Sequence, residues 1–207
     1  AFDASGDYLN TTTSSSDFTM GTGDFTVEYY FKQNQSAHSG NTFQISDTSG
    51  GFKSSSFAST ISAWTAADNT WKYNAGGSEI STGVKASYGQ WYHVALVRNS
   101  GTTSLYINGT KIHSTTDSTN YNGTYISIGG YYSTDYLLDG SLSNFRVVKG
   151  TAVYTSSFRS PTEPLTNISG TVLLCCNDSS ATGSTVTPVT LNSNGDPTAS
   201  SDSPFDD

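Results

Sequence analysis

Cations are scarce in this chain: nine Lys and Arg against 17 Asp and Glu leave a formal net charge of −8 over 207 residues. Binding a phosphate backbone draws on clustered Lys and Arg, so nucleic acid is not an expected partner. Long apolar runs are missing too. None approaches the roughly 18 residues of a bilayer-spanning helix, and no membrane insertion is expected. Glutamate occurs only at Glu28, Glu79 and Glu163, far apart in sequence. Glycoside hydrolysis needs two carboxylates facing each other at roughly 5 to 10 Å, and no stretch places alternate glutamates on one strand. The histidines are His38, His93 and His113, and no Ser sits in a Gly-x-Ser-x-Gly elbow. The chain is therefore expected not to be an enzyme. Cysteine is confined to Cys175 and Cys176. An adjacent pair gives no disulfide framework and too few ligands for a metal site by itself. Neighbouring strand residues point to opposite faces, so one thiol should be buried and the other more exposed.

Helical periodicity is also absent, and strand-like runs separated by Gly, Asn, Asp and Ser take its place. They cover 24–33 (DFTVEYYFKQ), 41–47, 71–75, 90–99 (QWYHVALVRN), 103–108, 124–129, 142–148 and 171–176. Hydrophobic residues make up only 34%, but 13 Tyr, 10 Phe and 3 Trp supply large areas to a thin core. Asn108-Gly109, between TSLYI and TKI, carries the two positive-φ residues of a type I′ hairpin turn. In 90–99, Trp91, His93, Ala95 and Val97 share one face, and Tyr92, Val94, Leu96 and Arg98 the other. Both faces are largely apolar, which suits a sheet that is covered on both sides or presents one face to a ligand. The length fits one sandwich domain, here 1–178. Residues 179–207 read as a Ser/Thr/Pro-rich tail or linker with one more edge strand at 187–191.

Aromatic rings are the usual sugar-stacking groups. The candidates are Trp64, Trp71 and Tyr73 in SAWTAADNTWKYN, and Tyr131, Tyr132 and Tyr136 in GGYYSTDY. The second set occupies a loop-like stretch, where aromatics serve contact more readily than core packing. The core is expected from Phe25, Val27, Trp91, Leu96, Leu105, Ile107, Phe145 and Val147. Glu28, alone between Val27 and Tyr29, reads as a solvated or hydrogen-bonded strand residue.

Several segments together resemble the laminin-G-like, concanavalin A-like jelly roll. They are FDASGDYL at 2–9, GDFT at 23–26, QWYHVA at 90–95, LYINGT at 105–110, IGG at 128–130 and LDGSLSNFRVV at 138–148, in the order that family uses. The closing stretch from KGTAVYT at 149–155 to LLC at 173–175 is similar to versions in proteins of marine bacteriophages, especially those infecting cyanobacteria. The resemblance implies an all-β sandwich of two antiparallel sheets, shared by lectins, adhesion modules and some glycosidases. It implies a non-enzymatic surface module, a fibre, appendage or capsid-decorating component, on a virion or outside a cell. Its partners would be glycans or neighbouring subunits, in a homo-oligomer or a larger assembly. The other readings are a glycosidase or polysaccharide lyase, and a secreted bacterial adhesin. No cofactor is expected. Calcium would be held only if Asp3, Asp7, Asp139 and Asn144 converge through neighbouring first and last strands. Asn144 stands where the family often has an acidic residue, and Cys175-Cys176 where it has a single cysteine.

Overall fold

The structure, a computed structural model, describes residues 1–35, 40–51, 59–130 and 136–205. Fifteen strands are present among them. β1 (Phe2–Asp3), β2 (Tyr8–Asn10), β3 (Phe25–Gln33), β4 (Gly40–Ser46), β5 (Ile61–Thr65), β6 (Thr70–Ala75) and β7 (Ser78–Lys85) occupy the first half. β8 (Trp91–Asn99), β9 (Thr102–Ile107), β10 (Thr110–Thr116), β11 (Tyr125–Ile128), β12 (Asp139–Lys149), β13 (Thr171–Cys175), β14 (Ser184–Val186) and β15 (Asn192–Asn194) follow. They form two antiparallel sheets. One runs β10-β9-β8-β3-β12-β13-β14 with β1 joined to β12; the other runs β15-β2-β11-β4-β5-β6-β7. This is the all-β sandwich expected. No helix among the described residues is long and apolar enough to cross a membrane.

Strand alternation builds the core. Phe25, Val27, Tyr29 and Phe31 of β3 turn one face inward, where they meet Phe43, Ile45, Ile61, Ala63, Trp71 and Tyr73 from the other sheet. Tyr29 stacks on Phe145 at 5.3 Å and meets Phe43 edge-on at 5.8 Å, while Phe31 meets Trp71 edge-on at 5.1 Å. Such pairs add about 0.5–1.5 kcal/mol each beyond burial, which is how few apolar residues suffice. The expected core residues lie inside except Trp91. It is half-buried on the opposite face of β8, packed with Tyr30, Leu165 and Leu174.

Asn108 and Gly109 have φ of 48° and 74° and join β9 to β10 as the two-residue turn expected. The outer face of the eight-stranded sheet is covered as well. Ala95, Val97 and Tyr106 lie beneath Ala152, Tyr154 and Phe158 of the irregular segment 150–168.

Residues 179–205 do not hang from the sandwich as a tail. β14 extends the larger sheet beside β13, and β15 extends the smaller one beside β2. These strands flank, rather than occupy, the expected 187–191. Beyond them Phe205 packs edge-on against Tyr30 at 4.9 Å, and Trp91 Nε1 donates to Asp202 Oδ1 at 3.2 Å. Sequence missed this because three-residue strands and a lone aromatic carry no periodic signal.

Candidate functional site

Residues paired in register point to the same side of a sheet, and those alternating with core residues point away from the core. In the seven-stranded sheet, Trp64 lies opposite Asn41 on β4 and Lys72 on β6. A second row runs Asn10, Ser127, Gln44 and Ser62 across β2, β11, β4 and β5. Asn74 occupies the outward position of β6 between the core residues Tyr73 and Ala75, opposite Glu79 on the edge strand. Tyr125, opposite Ser46, adds a half-buried ring. A one-residue bulge between Asn41 and Phe43 keeps Asn41 outward while Phe43 enters the core. At the bulge Thr42 Oγ1 donates to Ala63 O at 2.7 Å and accepts from Tyr29 OH at 2.6 Å.

Asn41, Gln44, Ser62 and Asn74 are only 0–3% exposed, and none of their side-chain polar atoms has a hydrogen-bond partner among the described residues. Leaving a buried donor or acceptor unmade costs about 1–3 kcal/mol. These groups are closed to solvent and unused among the described residues, so a ligand on this face meets the half-buried Trp64 first. The only outward cation on these two rows, Lys72, donates to Glu79 Oε1 at 2.6 Å. Sequence reasoning overlooked the amides because it looked for rings; the alternation in NTFQIS and TWKYNA was the signal available.

The aromatic candidates separate. Trp64 is half-buried on the outward face. Tyr136 is 57% exposed, and its carbonyl accepts from Asn41 N at 3.1 Å, so Trp64 and Tyr136 both flank Asn41. Trp71 and Tyr73 are corrected: both are fully buried on the inward side of β6, and Tyr73 OH hydrogen-bonds His113 Nδ1 at 2.8 Å. They alternate with Lys72, which takes the outward position. Tyr131 and Tyr132 lie outside the described residues.

The four calcium candidates do not all converge. Asp3 and Asp7 meet, joined by Asp196 from beyond β15, with ligand oxygens within 4.8 Å of one another. This trio is the one group among the described residues able to offer three acidic ligands to a cation. Asp7 Oδ1 accepts from Asp196 N at 2.8 Å, Asp7 Oδ2 from Asp3 N at 3.2 Å, and Asp3 Oδ1 from Ser5 N at 2.7 Å, so the carboxylates already close turns. Burial, with the neighbouring carboxylates, pushes the Asp7 carboxyl up despite those bonds. Asp139 is paired with Asp3 in β1–β12 register, and its Oδ1 accepts from Asn34 Nδ2 at 3.0 Å. Asn144 stands apart: its Oδ1 accepts from Leu165 N at 2.9 Å, holding the covering segment.

Glu28 is fully buried between β3 and that segment. Its Oε1 accepts from Arg146 Nε at 3.0 Å and Nη2 at 2.6 Å; its Oε2 accepts from Tyr154 OH at 2.8 Å and lies 3.1 Å from His93 Nε2. Burial alone would raise its pKa, but the His93 hydrogen bond and the Arg146 charge hold it below the usual carboxylate range. Both oxygens are occupied. Glu79 is on the edge of the other sheet and Glu163 is exposed on the covering segment, so neither faces Glu28.

Comparison with known proteins follows the same outline. A protein described as carbohydrate binding from Bacteroides ovatus superposes with a TM-score of 0.65 at 15% identity, over 92% of this chain and 57% of that one. The heptameric SAP-like pentraxin of Limulus polyphemus gives 0.51 at 20% identity over 72% of each chain. Domains LG4-5 of the mouse laminin alpha1 chain give 0.53 at 16% identity, over 75% of this chain and 44% of that one. The chain thus spans little more than half the length of the Bacteroides protein. A search of curated protein sequences gives no significant match. Residues 3–153 match the family model described as the concanavalin A-like lectin/glucanases superfamily. With three quarters of its length inside that match and its two sheets arranged as a sandwich, the chain belongs to the concanavalin A-like lectin/glucanases superfamily.

Proposed function

We propose that this chain is a non-catalytic module that binds a neutral glycan on the outer face of its seven-stranded sheet. The observation that carries the reading is the pair of rings flanking Asn41, the half-buried Trp64 and the exposed Tyr136, with a reserve of unused amides and hydroxyls behind them. Sugars present ring faces that stack on an indole and hydroxyls that both donate and accept. A net charge of −8 and a Lys72 already paired with Glu79 disfavour an acidic polymer. The description of the Bacteroides protein as carbohydrate binding supports the ligand class. Catalysis is not part of the reading, because the buried Glu28 has both oxygens engaged and faces no other glutamate. The phage-like stretch at 149–175 supports a place on a virion surface, as a fibre, appendage or capsid-decorating component beside neighbouring subunits.

Calorimetric titration of the full chain with neutral oligosaccharides, preselected on a glycan array, tests the site. Trp64→Ala and Tyr136→Ala should each weaken binding, Trp64→Ala by up to a few kcal/mol, while Val84→Ala, exposed on the edge strand β7, should not. Equal affinity in all three variants would place the ligand elsewhere. Release of reducing ends by the wild-type chain would overturn the non-catalytic reading.

A further inference from the structure

Cys175 ends β13, and Cys176 follows it with a φ of 57°. Had the strand continued, the two side chains would point to opposite faces. The left-handed turn instead brings the sulfurs to 3.8 Å, with the Cys176 thiol donating to Cys175 Sγ. Asn144 N donates to Cys176 O at 2.9 Å and pins the turn to β12. Cys175 is fully buried opposite Phe145. Cys176 is half-buried and lines a cavity of about 270 Å³ together with Asn144, Pro164, Asp178 and Phe205. Cys176 therefore borders a cavity, and its sulfur lies against that of the buried Cys175.

We propose that Cys175 and Cys176 are a vicinal dithiol that a peroxide converts to a reversible disulfide between adjacent residues. Cys176 gives up its proton and its sulfur attacks one oxygen of hydrogen peroxide; the O–O bond breaks, the leaving hydroxide takes up that proton as water, and a sulfenic acid remains on Cys176. Cys175 sulfur then attacks Cys176 sulfur, the S–O bond breaks, and the Cys175 proton departs with the hydroxide as a second water. The two sulfurs lose the two electrons that the peroxide gains. Pairing with the Cys176 sulfur, together with burial, pushes the Cys175 thiol up, and only Cys176 borders the cavity, so reaction begins at Cys176. Adjacent Cα atoms are about 3.8 Å apart, shorter than the roughly 4.4–6.8 Å usual for disulfides. The bond formed is strained and readily reduced, a mark rather than a staple.

Titrating the full chain with hydrogen peroxide and reading intact mass and iodoacetamide capture tests this. The expected result is a loss of two hydrogens and of both alkylatable thiols, without a cross-linked dimer on a non-reducing gel, restored by dithiothreitol. Cys176→Ser, altered on the cavity side, should instead lose its peroxide reactivity. It keeps the test readable should Cys175→Ser fail to fold. Stable oxygen adducts or intermolecular dimers in the wild-type chain, with no two-hydrogen loss, would overturn the proposal.

Discussion

At the scale of single residues, the interior sets Glu28 apart from an ordinary carboxylate. Its folded pKa is depressed because the His93 and Arg146 interactions outweigh the burial that opposes them. A depressed carboxylate contributes stability that is present above its unfolded pKa, about 4.3 for Glu, and lost as pH falls through the folded value. Thermal stability should therefore decline below about pH 4. Glu28→Gln leaves Arg146 charged, buried and short of its partner, a loss of about 3–5 kcal/mol. The melting temperature at pH 7 should fall on the order of 10 °C. The gap between wild type and variant should narrow as pH drops, since protonation removes the same charge. A gap constant from pH 7 to pH 3 would show that the carboxylate charge is not what stabilises the cluster.

Among the elements, the β9–β10 hairpin and the covering segment 150–168 depend on one another. Gly109 N–H and C=O belong to the turn, and Gly109 O also accepts from Phe158 N at 2.9 Å. A Cβ at Gly109 would come within 1.9 Å of Phe158 O, so the position requires glycine for close approach as well as for positive φ. Gly89 has a similar φ of 72° with open space around a Cβ. Gly89→Ala should cost only the backbone term, about 1 kcal/mol. Gly109→Ala should cost more and should raise amide exchange across 152–158, as the segment lifts from Tyr106 and His93. Equal melting temperatures for the two variants would dissolve the link between hairpin and cover.

For the molecule as a whole, the chain ends close the sandwich. Ala1 and Thr198 exchange backbone hydrogen bonds of 2.6 and 3.2 Å, and Leu191 enters the core between the two terminal strands. Lys32 and Trp91 both hold Asp202, and Phe205 covers Tyr30. A chain ending at Asp196 should keep β14 and β15 yet uncover Trp91, moving its fluorescence to the red with a small loss of stability. One ending at Asp178 should also lose an edge strand from each sheet, and its melting temperature should fall further. Unchanged emission in the shorter chains would mean that residues 197–205 do not dock in solution.

What the sequence determined by itself is what local chemistry encodes. Alternation in 90–99 sorted β8 into two largely apolar faces without telling which is core, and Asn108-Gly109 set a hairpin because few other residues tolerate positive φ twice in succession. The ordered motifs sufficed for the family and hence the sandwich. Tertiary structure alone decided how distant segments meet. Asp196 joined Asp3 and Asp7 only because β15 pairs with β2, and Asn144 left that set because a bend in β12, at a φ of 52°, turned it toward Leu165. Glu28 acquired Arg146 and Tyr154 from more than a hundred residues away. The same holds for the proposed binding face. Ring content nominated Trp64, Trp71 and Tyr73 alike, but a strand has two sides, and only packing against the second sheet decides which side is core. Once Trp71 and Tyr73 entered it, Lys72 and Asn74 had to face outward, in line with Trp64 and the amides of β4.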